Sequence, residues 1–197
     1  MEKAMKKVSL STLVKISILG AISFLIMLLD FPLWFVPEFY KMDFSDLPGL
    51  IGAFTLGPVA GVLIELLKNI LKFAFVGSGT GGVGEVANFI MGALYVGVAG
   101  LCYSKMKTRK GAILGMILGT VVMSLAGGLL NYYVLIPLYS KFMPIEQIIG
   151  MAKAINSIIV DLKSMIIYAV IPFNIFKGIV VSLVSIPLYK RLSGVLK

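Results

Sequence analysis

The chain contains no histidine and a single cysteine, Cys102. Without histidine, imidazole acid–base catalysis, Ser-His triads and HExxH zinc sites are excluded. A lone cysteine forms no intramolecular disulfide and builds no metal cluster, so no metal site is expected. No GxxxxGK[ST] loop occurs, so the chain hydrolyses no ATP through a P-loop of its own. Charge is scarce as well: charged residues are 14% of 197, and only nine are acids. Soluble domains carry about 25% charged residues, and here 59% of residues are apolar. A water-soluble globule is excluded.

What the chain does have is apolar runs long enough to cross a hydrocarbon core of about 30 Å. Its size suits a single domain over residues 1–197. The pI near 9.6 could suggest nucleic acid. The basic residues argue otherwise, because most sit at three sites flanking apolar spans: Lys3, Lys6, Lys7 and Lys15; Lys105, Lys107, Arg109 and Lys110; and Lys190, Arg191 and Lys197. That is the positive-inside pattern of a membrane protein. No nucleic-acid partner is expected.

The spans follow from the runs. The first covers about residues 13–29, and Asp30-Phe31-Pro32 follows it rather than a small-residue cleavage site, so it reads as uncleaved. An outer loop over residues 30–46 holds Trp34, Phe35, Phe39 and Tyr40 and four of the nine acids. Pro32, Pro37 and Pro48 forbid a long helix there. Gly57-Pro58 divides the next apolar stretch into a short second span over 47–56 and a third over 58–75. Glu65, Lys68 and Lys72 share one face of the third, which should meet protein or a cavity rather than lipid. After a glycine-rich outer turn come a fourth span over 84–103 and a fifth over 111–139. An outer segment over 140–161 follows, with an amphipathic helix from Pro144, and a sixth span over 162–188.

Parity supports the division. The three basic clusters must share one side, which requires even numbers of crossings between them, and the count gives four and then two. The expected fold is an all-α membrane protein of six transmembrane helices with both termini cytoplasmic. The expected location is the bacterial cell (inner) membrane.

Gly77, Gly79 and Gly82 match GxGxxG, but with no preceding strand they read as a tight turn rather than a dinucleotide site. Gly111, Gly115 and Gly119 repeat GxxxG and suit a close helix pair. Ser17, Gly20 and Ala21 form a small-residue patch on the first span, a candidate face for docking a partner.

The sharpest constellation is polar and embedded. Asn131 lies in the outer half of the fifth span, and Asn174 and Lys177 share a face of the sixth just after Pro172. A lysine within a span costs a few kcal/mol and reads as functional by default. The bland alternative has it snorkel to the interface or pair with Glu85 or Asp161. Glu85 and Asn88 open the fourth span at the same outer level. With the aromatic loop they describe an outward pocket suited to a flat, uncharged heterocycle with imide-like edges. A phosphate or carboxylate ligand would want more than one cation committed to it.

The segments Lys41–Pro48, Gly79–Glu85, Asn131-Tyr132-Tyr133 with Pro137, and Pro172–Gly178 resemble the riboflavin-binding S components of energy-coupling factor (ECF) transporters. The resemblance runs in order over nearly the whole chain. It implies a six-helix S component that captures riboflavin outside as transported substrate, with no cofactor and no catalytic residue. Partners would be a transmembrane T subunit and two ATP-binding subunits that do the hydrolysis. Asn131, Asn174 and Lys177 would hold the polar edge of the isoalloxazine ring, and the Met42–Leu47 loop, with Asp43 and Phe44, would cover it beside Tyr40. Where that family docks through an AxxxA face, this chain has Ser17, Gly20 and Ala21. The rival readings are a self-sufficient secondary transporter, an S component for another vitamin, and an intramembrane enzyme acting on lipid-linked substrates. The first predicts an inverted repeat, which is absent; the last needs clustered carboxylates, and the acids are scattered.

Overall fold

A computed structural model describes residues 9–196 of the chain, with side chains through Leu188. Lys3, Lys6, Lys7 and Lys197 lie outside the described residues, as do the side chains of Lys190 and Arg191. Helix α1 spans Leu10–Met27, and its first turn is capped by the Ser9 hydroxyl, which accepts from the Thr12 amide at 3.1 Å. The loop after it is not wholly irregular. β1 (Phe31–Pro32) pairs antiparallel with β2 (Lys41–Met42), a two-residue ribbon that returns the chain to the helices. Pro32 is tolerated there because the ribbon is all edge.

The apolar stretch beyond the loop is divided at the expected place, into α2 (Asp46–Thr55) and α3 (Pro58–Val76). Gly57 between them has φ +108°, a conformation open to glycine, and Pro58 starts α3 where its missing N–H costs nothing. α4 (Val83–Met106) and α5 (Arg109–Leu130) follow, joined at Lys107 and Thr108. Their pairing is close. A Cβ on Gly115 would lie 2.6 Å from the Ala99 carbonyl oxygen, and one on Gly119 would lie 2.6 Å from that of Tyr95. The glycine repeat of α5 therefore lets two backbones touch.

Two further helices are interrupted in the same way. α5 runs into a π turn at Asn131–Leu135 and continues as α6 (Ile136–Tyr139). α7 (Ile145–Ile155) is the separate amphipathic helix. α8 (Leu162–Met165) runs into a second π turn at Ile166–Val170 and on into α9 (Ile171–Leu196). Each π turn is followed within two residues by a proline, Pro137 or Pro172. Proline lacks an N–H and its ring crowds the carbonyl four residues back, and the wider turn relieves both.

Among the described residues, four segments are long and apolar enough to cross a membrane: Leu10–Met27, Val83–Met106, Arg109–Tyr139 and Leu162–Leu188. α3 has 19 residues but carries Glu65, Lys68 and Lys72, while α2 has only 10. At about 1.5 Å per residue, α2 reaches about half of the hydrocarbon thickness. α2 is instead buried on nearly every side, with Asp46 through Phe54 all inside the protein. Exposed apolar residues such as Ile18, Leu25, Ile117, Leu125, Ile179 and Leu183 form the outer surface, as expected where lipid rather than water is the solvent.

Candidate functional site

Where the loop meets the first turns of α4 and α9 and the far end of α5 there is a cavity of about 610 Å³, within the range of small-molecule sites. One end is polar, with Asn131, Asn174 and Lys177 all lining it and all buried. The walls are largely aromatic and apolar: Phe39, Tyr40, Met91, Tyr139, Phe142 and Phe173. Ile148 of α7 and Met143 before it close another side.

The two π turns shape the polar end. Asn131 donates its amide to the Gly127 carbonyl at 2.8 Å, and Asn174 donates to the Val170 carbonyl at 2.9 Å. Each asparagine thus satisfies a carbonyl four residues back, beside or within a widened turn, and is held in place by it. The Asn131 Oδ1 accepts the Tyr40 hydroxyl at 3.0 Å. The Tyr40 ring lies against Phe173, centroids 5.4 Å apart. Burial, with the Tyr139 phenol adding to it, pushes the Tyr40 hydroxyl above its ordinary pKa, so it stays a neutral donor. The Asn88 Oδ1 is buried with no protein partner and belongs to a cavity-lining side chain, an acceptor left for a ligand.

Lys177 does not pair as the bland alternative had it. Glu85 bonds Lys72 at 2.6 Å and the Ser78 hydroxyl at 2.6 Å. Asp161 is exposed and caps α8, accepting from the Ser164 hydroxyl at 2.6 Å and the Ser164 amide at 2.7 Å, bonds that hold its carboxyl below the usual range. The partners of Lys177 come from the loop and α2: Asp43 at 3.3 Å and Asp46 at 3.2 Å. Asp46 also binds Lys68, and Lys68 lies 2.5 Å from Glu65 and donates to the Ser45 hydroxyl at 2.9 Å. Glu65 and Lys68 are wholly inside the protein. The Glu65 and Lys68 part of the charged face of α3 therefore meets protein, as its stripe requires.

Of the residues anticipated for binding, Tyr40, Asp43, Glu85, Asn88, Asn131, Asn174 and Lys177 line the cavity. Met42 and Leu47 are buried in the core beneath the loop, and Phe44 packs against that core. These three stabilise the loop rather than face the cavity. Sequence reading assigned none of Lys72, Thr80, Tyr139 and Ile148 to binding, and all four line it. Lys72 was findable as the far end of a charged stripe. Ile148 was not, because nothing local says that α7 folds back over the cavity. On α1, Ser17 and Ala21 are exposed, whereas Gly20 faces inward, where a Cβ would overlap Leu67. The glycine turn is a turn, with positive φ at Gly77, Gly81 and Gly82, and the Ser78 and Thr80 hydroxyls accept from its amides.

Comparison with known proteins gives a consistent picture. The family model for "ECF transporter, substrate-specific component" matches residues 11–189. The riboflavin transporter RibU of Staphylococcus aureus (strain TCH60) is 42% identical over 185 residues, covering 94% of this chain and 92% of that protein. The riboflavin transporter FmnP of Bacillus subtilis (strain 168) is 36% identical over 173 residues, with 87% and 86% covered. A solved structure of the S component of a bacterial ECF transporter superposes with a TM-score of 0.73 at 40% identity, covering 94% of this chain and 97% of that one. An apolar helical chain with a cavity at one end and these relatives along its length belongs to the family of ECF transporter substrate-specific components.

Proposed function

We propose that this chain captures riboflavin from outside a bacterial cell and is the riboflavin-binding S component of an ECF transporter. The observation that carries the reading is the cavity itself. Its aromatic walls end in two buried asparagines and a buried lysine, in a chain 42% identical to a protein named as a riboflavin transporter. Riboflavin is flat and uncharged, and its pyrimidine edge offers carbonyls and an N–H. Asn131 and Asn174 supply complementary amide groups, Lys177 donates to a carbonyl, and Tyr40, Phe173 and Tyr139 offer faces for the ring. Met42, Phe44 and Leu47 hold the loop over the site from beneath.

In this reading the helices cross the membrane six times, with α2 as the short second crossing and both termini in the cytoplasm. The Lys105–Lys110 cluster between α4 and α5 then marks the inner side, and the cavity opens outward. The chain acts as one unit, with riboflavin as cargo and no cofactor. Two ATP-binding subunits hydrolyse ATP and a T subunit couples that work to release inside. The exposed Ser17 and Ala21 face of α1, with Gly20 behind it, is where the T subunit would dock.

Riboflavin titration of the detergent-purified protein tests this. The expected result is saturable quenching of flavin fluorescence at sub-micromolar concentration, since buried aromatic side chains quench a stacked flavin. A protein that carries no flavin and binds none at micromolar concentration would overturn it.

A further inference from the structure

Lys68 does not line the cavity, yet it is tied to a residue that does. Its ammonium sits at full burial on α3 and binds the Asp46 Oδ1 and the Ser45 hydroxyl. The other oxygen of Asp46 lies 3.2 Å from Lys177 Nζ, and Lys177 lines the cavity. Asp46 is therefore a bridge between a lysine that can meet a ligand and one that cannot.

The balance of charge makes the arrangement matter. Asp43, Asp46 and Glu65 are three buried carboxyl groups facing two buried ammonium groups, Lys68 and Lys177. In a poorly screened interior such groups interact strongly and cannot be left uncompensated without large cost. With Lys68 in place, Asp46 is shared between two cations, and Lys177 stands at 3.2–3.3 Å from its carboxylates, longer than an ideal charge-assisted bond of about 2.8 Å. With Lys68 absent, Lys177 becomes the only cation serving Asp43 and Asp46 among the described residues. It would be drawn down onto them and away from the cavity.

We propose that Lys68 is a positioning residue for ligand binding: by holding Asp46 it presents the Lys177 ammonium to the cavity and so sets affinity without touching the ligand. This rests on the reading that the cavity holds riboflavin with Lys177 at its polar edge. The same group of bonds ties the loop to α1 and α3. The Ser45 amide donates to Asp43 at 2.7 Å, and its carbonyl accepts the Ser23 hydroxyl of α1. Lys68 thus orders both the acid that steers Lys177 and the loop segment that carries it.

The test is a double-mutant cycle read by riboflavin titration of the purified full chain. Lys68→Met should weaken binding about tenfold or more, but less than about twofold when introduced into Lys177→Met, because the residue through which it acts is gone. A merely structural role would weaken both backgrounds alike. The absorption band of bound flavin gives a second readout, since a cation at the ring edge perturbs it. In Lys68→Met the band should move toward that of the Lys177→Met complex. Should Lys68→Met fail to fold, Asp46→Asn keeps the side-chain shape and removes the bridge's charge; it should change affinity in the otherwise unmodified chain but by less than about twofold in Lys177→Met. An unmodified chain that binds no riboflavin overturns the functional reading itself. An unmodified chain that binds, beside variants with unchanged or strictly additive affinities, overturns this proposal and leaves that reading standing.

Discussion

The Tyr40 hydroxyl donates to Asn131 Oδ1 at 3.0 Å, joining the outer loop to the π turn that continues α5. The two residues are 91 positions apart. The Asn131 amide is thus held from two sides, its Oδ1 by the loop and one N–H by Gly127, which leaves its second N–H for the cavity. Loop closure and ligand recognition therefore use the same side chain.

Tyr40→Phe removes that donor and leaves the ring against Phe173. It should weaken riboflavin binding by about 0.5–1.5 kcal/mol, the net value of one such bond. Fluorescence titration measures it, and Tyr40→Ala, which also removes the ring, should cost more.

Asn174→Ala and Lys177→Ala should each weaken binding by about 1–3 kcal/mol, through loss of a buried polar partner. Lys177→Ala additionally strips Asp43 and Asp46 of a cation, so its thermal unfolding midpoint should fall as well. Unchanged affinity in both variants would move the site elsewhere in the molecule.

Gly49 and Gly92 press on the two oxygens of Glu65 from α2 and α4, and a methyl group at either position would overlap them. Glu65 cannot swing away, because it is wholly buried beside Lys68. Gly92→Ala should therefore destabilise the fold by about 1–3 kcal/mol. Gly79→Ala, where a Cβ meets nothing within 4 Å, should not. Thermal unfolding in detergent separates the two.

The phosphorylated flavin should bind about tenfold or more weakly than riboflavin. Each cavity-lining lysine already has an acid: Lys41 has Asp30 at 3.0 Å, Lys72 has Glu85 and Lys177 has Asp43 and Asp46. A phosphate would meet carboxylates without finding a free cation. Glu85→Gln, which releases Lys72, should narrow the gap, as competition titration would show.

Much of this architecture can be read from the chain, for specific reasons. Long apolar runs announce α1, α4, α5 and α9, and charge parity requires the division that Gly57 and Pro58 make. The GxxxG repeat foretells the close contact of α5 with α4. Asn131, Asn174 and Lys177 stand out because polar groups within apolar runs are costly. The partners of Lys177 do not stand out. Asp43 is 134 residues away, and no local pattern distinguishes it from Glu85 or Asp161. The ribbon in the outer loop, the inward turn of Gly20 and the folding of α7 over the cavity are likewise decided by tertiary packing. Pro137 and Pro172 hint at irregular helix, but not that the irregularity is a widened turn beside each asparagine.

Those widened turns carry a constraint on chain length. A π turn holds one residue more than the α-helix it interrupts, so each is a tolerated insertion in an otherwise regular rod. Successive residues of an α-helix differ in direction by about 100°. Deleting one residue of Ile166–Val170 would remove that extra residue and leave the direction of Asn174 and Lys177 nearly unchanged, whereas deleting one of residues 171–173, in regular helix, would rotate them by that angle relative to α8. The residues at the polar end of the cavity thus depend on a count of residues as much as on their identity. Within these two spans a one-residue deletion inside a π turn can be absorbed, whereas one in the regular helix just before the recognition groups would turn them out of the cavity.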